Sequence, residues 1–100
     1  MFERVVALNV TDEDGYRRYR EGMGPILREY GGGFRVDFRV SDLLEWTGSH
    51  PVNRVFIIYF RDEAACSEFF SDERYLAVRA REFEGSVDGV TELARYDREG

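Results

Sequence analysis

Six consecutive residues of the chain, Val55 to Phe60, are all apolar and read Val-Phe-Ile-Ile-Tyr-Phe. Successive side chains of a β-strand point to opposite faces, so this segment is apolar on both faces and needs cover on both. It is far shorter than the roughly 20 residues of a membrane-spanning helix. We therefore expect a buried central strand here and no association with a membrane.

Two further strands are predicted before this one. The stretch from Glu3 to Val10 is mostly apolar. The stretch from Phe34 to Val40 alternates strictly between apolar and polar residues, which indicates a strand with one apolar and one polar face. An extension of that strand through Leu43, Leu44 and Trp46 is an open alternative.

A helix is predicted between those two strands, because aromatic and aliphatic residues recur there every three or four positions. Thr11 or Asp12 supplies its N-cap oxygen. Pro25 predicts a kink or two helical pieces, since proline removes one hydrogen bond and clashes with the preceding turn. The glycines at positions 31–33 are expected to end the helix.

A second helix is predicted after the central strand, from Glu63 to Phe70, with Asp62 as its cap. It restarts at positions 71–72 and ends at Gly85. The side chains expected to turn inward from the restarted part are Tyr75, Leu76, Ala80 and Phe83. A last strand is predicted from Val87 or Val90 to Tyr96.

The predicted order is therefore β-α-β-β-α-β within one domain spanning residues 1–100. Two right-handed β-α-β crossovers combine this order into an α+β, ferredoxin-like fold. Its antiparallel sheet has the strand order 4-1-3-2, with two helices on one face. This arrangement makes the doubly apolar third strand central, as its composition requires.

The helices cover only one face of such a sheet and leave apolar side chains of the central strands in water. These are Val5 and Ala7, with either Val55, Ile57 and Tyr59 or Phe56, Ile58 and Phe60. Exposed apolar area of this kind marks an interface, and burial contributes about 25 cal/mol per Å². We therefore predict a homodimer that closes through the open sheet face and hides edge strands.

The net charge and the cysteine content indicate which partners, and which cellular compartment, are expected. The formal net charge is −6 and the pI is about 4.8, although all 14 basic residues are arginines. Because a duplex-binding surface needs a net positive face, we expect no nucleic-acid partner. The single cysteine, Cys66, excludes an internal disulfide. With no signal peptide expected at the N-terminus, the cytoplasm is the predicted compartment.

Some polar side chains are candidates for a site in an apolar cleft between helices and sheet. Histidine is the side chain that most readily exchanges a proton near neutral pH, and His50 is the only one in the chain. We assign His50 and Tyr16 as candidate catalytic residues. The candidate substrate-binding residues are Asn9, Tyr75, Arg39 and Trp46.

Each candidate also has a purely structural interpretation. In this interpretation His50 lies in a solvated loop and Asn9 forms a turn with its side-chain amide. Tyr16 and Tyr75 pack in the core. Arg39 is expected on one face of the second strand with Arg35 and Asp37. A row of ion pairs is favoured there over a site for a substrate carboxylate.

We expect no metal and no cofactor. A single histidine without partners does not make a metal or haem site, since such sites need several ligands or a defined second shell. The chain also carries no Ser–His–Asp order, phosphate loop or dinucleotide glycine pattern.

Several short segments resemble the DUF1330 family in their order and spacing. In the first half these are Ala7 to Asp12, the pair Tyr16 and Tyr19, Pro25-Ile26-Leu27 and Tyr30-Gly31-Gly32; in the second half they are Val55 to Phe60, Glu63-Ala64-Ala65 and Phe70 to Tyr75. The resemblance implies a ferredoxin-like subunit of a dimeric α/β barrel. Relatives on this barrel include cofactor-independent monooxygenases, small-molecule isomerases, haem-degrading enzymes and stress-induced proteins.

The sequence leaves two functions open and does not decide whether the protein is an enzyme. The first is a cofactor-independent enzyme or binder, monooxygenase- or isomerase-like, that holds a small molecule in an apolar cleft. The alternative is a non-catalytic dimeric module that binds a partner or serves in stress physiology.

Overall fold

The structure is a computed structural model and describes residues 1–99. Its elements, in chain order, are β1 (Phe2–Val10), α1 (Glu13–Glu29), β2 (Gly33–Arg39), β3 (Arg54–Phe60), α2 (Glu63–Ser71), α3 (Glu73–Val78), a π-helical turn (Arg79–Phe83) and β4 (Val87–Asp97). Within these residues, no helix is long and apolar enough to cross a membrane.

The four strands form one antiparallel sheet in the order β2-β3-β1-β4. This is the predicted 4-1-3-2 order, read from the other edge, and it is confirmed. The doubly apolar strand β3 is central beside β1, and the two one-sided strands lie at the edges. The α+β, ferredoxin-like architecture follows from this order together with the helices on one face.

The predicted restart of the second helix at positions 71–72 is confirmed, and the break there is complete, so the chain forms three α-helices rather than the two of the predicted fold. Asp72 takes an extended conformation between α2 and α3, and its carboxylate accepts from the Arg74 backbone N–H at 2.8 Å. The prediction of two helical pieces around Pro25 is wrong, since α1 runs unbroken through that residue. Buried side chains on both sides of Pro25, from Tyr16 to Leu27, hold α1 on the core.

The predicted helix caps are confirmed. Asp12 accepts a hydrogen bond from the Gly15 backbone N–H at 3.1 Å, and Asp62 accepts one from Ala65 at 2.7 Å. Each carboxylate thereby satisfies a backbone donor that has no partner within its helix. Gly31 follows the end of α1 with a φ of 69°, a left-handed conformation that favours glycine.

The hydrophobic core lies between the helices and one face of the sheet. Alternate residues of β3, namely Phe56, Ile58 and Phe60, point into it and are buried. Two residues expected to face inward, Leu76 and Ala80, are exposed instead. The break at position 72 and the π-helical turn change the rotation of the chain, so the spacing of one continuous helix no longer applies.

A bulge in β2 changes which side chains share a face. The register against β3 shifts between Phe34 and Val36, so Arg35 is the extra residue. Arg35 bonds Glu3 on the open face, whereas Asp37 bonds Arg20 on the helix-covered face. The predicted single-face row of Arg35, Asp37 and Arg39 is therefore wrong. The extension of β2 to Trp46 is wrong as well, because β2 ends at Arg39.

The open face of the sheet carries Val55, Ile57 and Tyr59, all only partly buried. The segment 40–53 crosses one end of this face, because its His50 bonds the hydroxyl of Thr91 in β4, the residue that pairs with Ala7. Ala7 lies beside that crossing and is only 1% exposed, contrary to the expectation that it faces water. A segment joining two strands thus covers part of the face that the helices leave open.

Candidate functional site

A cleft opens between the helices and the covered face of the sheet, with a cavity volume of about 70 Å³. Each of the eight elements contributes to its lining. Nine of the fourteen lining side chains are apolar, so a ligand seated there meets a mostly apolar wall. The polar side chains in the lining are those of Arg4, Tyr16, Tyr19, Tyr75 and Arg79.

Two buried tyrosines in the cleft share a hydrogen bond. The hydroxyl oxygens of Tyr19 and Tyr75 are 2.9 Å apart, and either hydroxyl serves as donor to the other. One hydroxyl proton of the pair is therefore free to donate elsewhere. Burial, with the neighbouring Tyr75, raises the pKa of Tyr19 well above its usual range. At neutral pH the Tyr19 hydroxyl keeps its proton and acts as a donor rather than a base.

Tyr16 lies in the cleft with its hydroxyl accepting a 2.9 Å hydrogen bond from Arg20 Nη1. Burial raises the pKa of Tyr16, although the charge of Arg20 and its hydrogen bond act in the opposite direction. The Arg20 guanidinium lies 3.4 Å from the ring centroid of Phe34 and also bonds Asp37 at 3.1 Å. Tyr16 is thus held in place by an arginine that is itself fixed by a carboxylate and an aromatic ring.

The two arginines of the cleft differ in their partners. Arg4 forms an ion pair with Glu92, and hydrogen bonds from Arg95 and then Arg4 lower the pKa of Glu92 to about 2. Arg79 lies over the Phe83 ring, 5.0 Å from its centroid. Among residues 1–99 no carboxylate lies within ion-pair distance of Arg79.

His50 and Trp46 lie in the segment between β2 and β3 and are absent from the cleft lining. The ring nitrogens of His50 bond the Pro51 carbonyl and the Thr91 hydroxyl, each at 2.7 Å, and Trp46 Nε1 donates to the His50 carbonyl at 2.7 Å. A Cβ atom on Gly89 would lie 2.3 Å from the His50 ring. These contacts anchor the segment to β4.

Asn9 is also absent from the cleft lining, because alternation along β1 turns Val6, Leu8 and Val10 to the core. The amide that acts at this end of β1 is Asn53. Its side chain accepts from the Val10 N–H at 2.8 Å and donates to the Val10 carbonyl at 2.7 Å. Asn53 was not singled out in the sequence, since the pairing joins residues 43 positions apart.

Arg39 is absent from the cleft lining and lies in a surface groove of about 300 Å³ lined also by Glu13, Tyr16, Arg17, Arg20 and Arg54. Burial opposes the ionisation of nearby Asp37, but hydrogen bonds and charge from Arg54 and Arg20 prevail and lower its pKa. Arg54 donates two bonds of 2.8 Å to that carboxylate. All four groove arginines are therefore paired with carboxylates within the protein; Arg39 lies 3.8 Å from Glu13, although both of these side chains are mostly exposed.

Of the six predicted site residues, the cleft brings together Tyr16 and Tyr75. Two residues that the sequence analysis did not assign to a site, Tyr19 and Arg79, join them. A signal for Tyr19 was present, because it lies one helical turn after Tyr16 on the same apolar stripe.

Other reactive groups do not add a metal centre or a nucleophile to this site. Across residues 1–99, no group of three His, Cys, Asp or Glu side chains is placed to hold a metal ion. Cys66 is buried, and burial raises the pKa of its thiol, which disfavours the reactive thiolate. The cleft offers apolar contact, tyrosine hydroxyl donors and two guanidinium groups, of which that of Arg4 is paired with Glu92.

Comparison with solved structures supports the fold. A protein of unknown function from Rhodopseudomonas palustris matches with a TM-score of 0.78 and 16% identity over 99% of this chain and 82% of that one. A dabb family protein with a ferredoxin-like fold from Mesorhizobium loti matches with a TM-score of 0.68 and 16% identity, over 99% and 97% of the two chains.

A dimeric ferredoxin-like protein of unknown function from Jannaschia sp. matches with a TM-score of 0.56 and 16% identity, over 97% and 98% of the two chains. At these identities the likeness concerns the fold alone. No curated protein sequence matches this chain.

The model of one protein family, described as a domain of unknown function, DUF1330, matches residues 4–91. That range holds the lining of the cleft and every segment on which the family resemblance rests. The chain belongs to the DUF1330 family.

Proposed function

We propose that this protein binds a small, mostly apolar molecule in the cleft without a metal or cofactor. The observation that carries the proposal is the Tyr19–Tyr75 hydroxyl pair, which lies in an apolar cleft and has one proton left to donate. Ligand sites of this kind combine apolar walls with a few placed polar groups that orient the ligand. A ligand oxygen that accepts a hydrogen bond from this pair has a polar partner in the cleft, and the bond fixes the orientation of the ligand.

The tyrosine hydroxyls and the apolar walls are also the groups that would catalyse a reaction in this cleft, of an isomerase-like or cofactor-independent monooxygenase-like kind. A hydroxyl donor stabilises an oxygen that gains negative charge in the transition state, and the walls position the ligand. Tyr16 and Tyr75 are the residues we assign to this role. His50, Asn9, Arg39 and Trp46 are not part of it, because they lie outside the cleft lining.

Filling the mouth of the cleft is expected to abolish ligand binding while leaving the fold intact. Val90 lines the cleft and is 47% exposed, so Val90→Phe adds bulk at the opening without overpacking the core. The measurement is a titration by nuclear magnetic resonance with neutral aromatic probes such as phenol and phenylacetamide. We expect the chemical-shift changes of cleft residues seen in the natural protein to disappear in this variant.

The matched control is Leu76→Phe, since Leu76 is 45% exposed but does not line the cleft. This variant should bind as the natural protein does. Equal binding by both variants, or no shift at cleft residues with any probe, would contradict the proposal.

We further propose that the protein works as a homodimer, a dimeric α/β barrel closed through the open sheet face. Phe38 pairs with Val55 across β2 and β3 and therefore points to that face, where it is 57% exposed. Exposed apolar side chains beside Ile57 and Val55 favour a partner surface. The Jannaschia relative described as dimeric supports this proposal. A non-catalytic dimeric module, the alternative function, rests on this same face.

Introducing a charge on this face is expected to yield monomers. Phe38→Asp would place a carboxylate in the interface, where an unpaired charge is costly to bury. Light scattering coupled to size exclusion should give about twice 11.7 kDa for the natural chain and about 11.7 kDa for the variant. Leu76→Asp on the helical side should stay dimeric; a monomeric natural chain at micromolar concentration would refute the dimer.

A further inference from the structure

We infer that the ligand of the cleft carries a single carboxylate on an apolar body, and that Arg79 recognises this carboxylate. The inference rests on the proposed binding function and names the chemical class that the same site selects. Arg79 is the residue that distinguishes a carboxylate from a neutral group, because the tyrosine hydroxyls alone would donate to any neutral oxygen as well.

The first support is the charge balance of the cleft. Its two guanidinium groups are those of Arg4 and Arg79. Arg4 is neutralised by Glu92, whose carboxylate also takes two bonds from Arg95. Within residues 1–99, Arg79 has neither a carboxylate within ion-pair distance nor a hydrogen-bond acceptor for its side chain. Among the described residues, the charge of Arg79 is therefore the one positive charge of the cleft without a carboxylate partner.

The second support is the local backbone. Arg79 begins the π-helical turn that ends at Phe83, where the Glu84 backbone N–H bonds the Arg79 carbonyl at 3.2 Å. π-Helical turns inside helices occur frequently at functional sites. This turn brings both of its end residues to the cleft, with the guanidinium 5.0 Å from the Phe83 ring centroid. The ring holds the guanidinium by a cation–π contact, while its N–H groups have no acceptor among residues 1–99.

The third support is the combination of donors. The positive charge of Arg79 acts on the Tyr19 hydroxyl, where it opposes the rise that burial causes in the pKa of that group. The Phe83 ring lies 5.0 Å from the Arg79 guanidinium and 4.7 Å from the Tyr19 ring, centroid to centroid, so Arg79 and the Tyr19–Tyr75 pair share one part of the cleft. A guanidinium binds a carboxylate with two parallel N–H···O bonds, and a hydroxyl adds a third. The single guanidinium without a carboxylate partner among residues 1–99 balances one negative charge, so a monoanion fits better than a phosphate dianion.

Paired acids and amides test the inference directly. The probes are phenylacetate, 2-naphthoate and octanoate, each compared with its own carboxamide in titrations followed by calorimetry and nuclear magnetic resonance. For at least one pair, the acid should bind the natural protein about 10- to 100-fold more tightly than the amide, the range expected of a charge-assisted hydrogen bond. Shifts in the spectra should map to the cleft.

The variant Arg79→Gln should lose this preference and bind the amide as the natural protein does. Arg79→Lys, which keeps the charge without the planar fork, should keep part of it. The matched control is Arg81→Gln: Arg81 lies on the same turn, its side chain is 62% exposed and it does not line the cleft. Thermal unfolding of each variant checks that the fold is retained.

The outcomes separate the two proposals. Amides that bind as tightly as their acids, or a preference that survives in Arg79→Gln, would overturn the carboxylate inference and leave the binding function standing. The absence of cleft binding by every acid and every amide would overturn both.

Discussion

Replacing Phe69 with alanine is expected to lower the free energy of unfolding by about 4 kcal/mol, the cost of a large cavity in an aromatic core. Phe69 is fully buried at 0% exposure. Its ring centroid lies 4.5 Å from that of Tyr75, 4.9 Å from Phe70 and 5.6 Å from Phe60. No neighbouring side chain is long enough to close the space without leaving its own contacts.

Urea unfolding followed by circular dichroism measures this loss at one fixed protein concentration. The control is Leu76→Ala, since Leu76 is 45% exposed and should change the free energy of unfolding by no more than about 0.5 kcal/mol. A similar small effect of Phe69→Ala would show that the core rearranges around this position.

The same substitution is expected to weaken ligand binding in the cleft. Phe69 does not line the cleft but packs behind Tyr75, which does. Without that ring, the Tyr75 hydroxyl is no longer held at hydrogen-bond distance from Tyr19. The milder Phe69→Leu keeps most of the packing volume and should weaken ligand binding less than Phe69→Ala does.

Replacing Arg35 with methionine is the second substitution with a large expected effect, about 2 kcal/mol of destabilisation at neutral pH. Arg35 donates to the carboxylate of Glu3, whose side chain is completely buried. Tyr96 donates a further bond of 2.8 Å to it, and Arg98 lies 3.9 Å away. The loss of Arg35 leaves a buried charge with too few partners.

The effect of Arg35→Met should depend on pH in a defined direction. Burial opposes ionisation of Glu3, but the hydrogen bonds from Arg35 and Tyr96 and the charge of Arg35 prevail, so its folded-state pKa lies below 4.5. A lowered pKa stabilises the fold above the unfolded-state value, and this stability is lost as the pH falls through the folded-state value. The variant should therefore differ most from the natural protein at neutral pH, and the difference should shrink below about pH 4.5.

Urea unfolding at several pH values measures this dependence. Arg17→Met is the matched control, because the Arg17 side chain is 66% exposed and its pairs with Asp14 and Glu21 are exposed as well. Exposed ion pairs contribute little to stability. A difference between Arg35→Met and the natural protein that stays constant with pH would rule out the Glu3 charge as its source.

Much of the fold could be predicted from local patterns. The apolar run of β3 predicts a central strand, since only a strand covered on both faces tolerates such a run. The caps at Asp12 and Asp62 are equally local, because the oxygen and the N–H that it satisfies lie three residues apart. The strand order then follows from the handedness of crossovers.

The candidate site could be predicted only in part. Tyr16 and Tyr75 reach the cleft because they belong to stripes that face the core. Asn9 does not reach the cleft, because alternate side chains of β1 point to opposite faces of the sheet and Asn9 points away from the core. The bulge at Arg35 changes which residues of β2 point to each face. His50 binds Thr91, which is 41 positions away in the sequence, so its place depends on a contact that no local pattern reports.

The sequence by itself determined the element order, the caps and the central place of β3, because these depend on periodicity and on contacts within a few residues. Only the tertiary structure decided that Tyr19 and Tyr75, 56 positions apart, share a hydrogen bond, and that Arg79 enters their cleft with no carboxylate partner among residues 1–99. The physical reason is that a site between helices and sheet is assembled from long-range packing. The π-helical turn contributes to its geometry by rotating side chains out of the regular helical spacing.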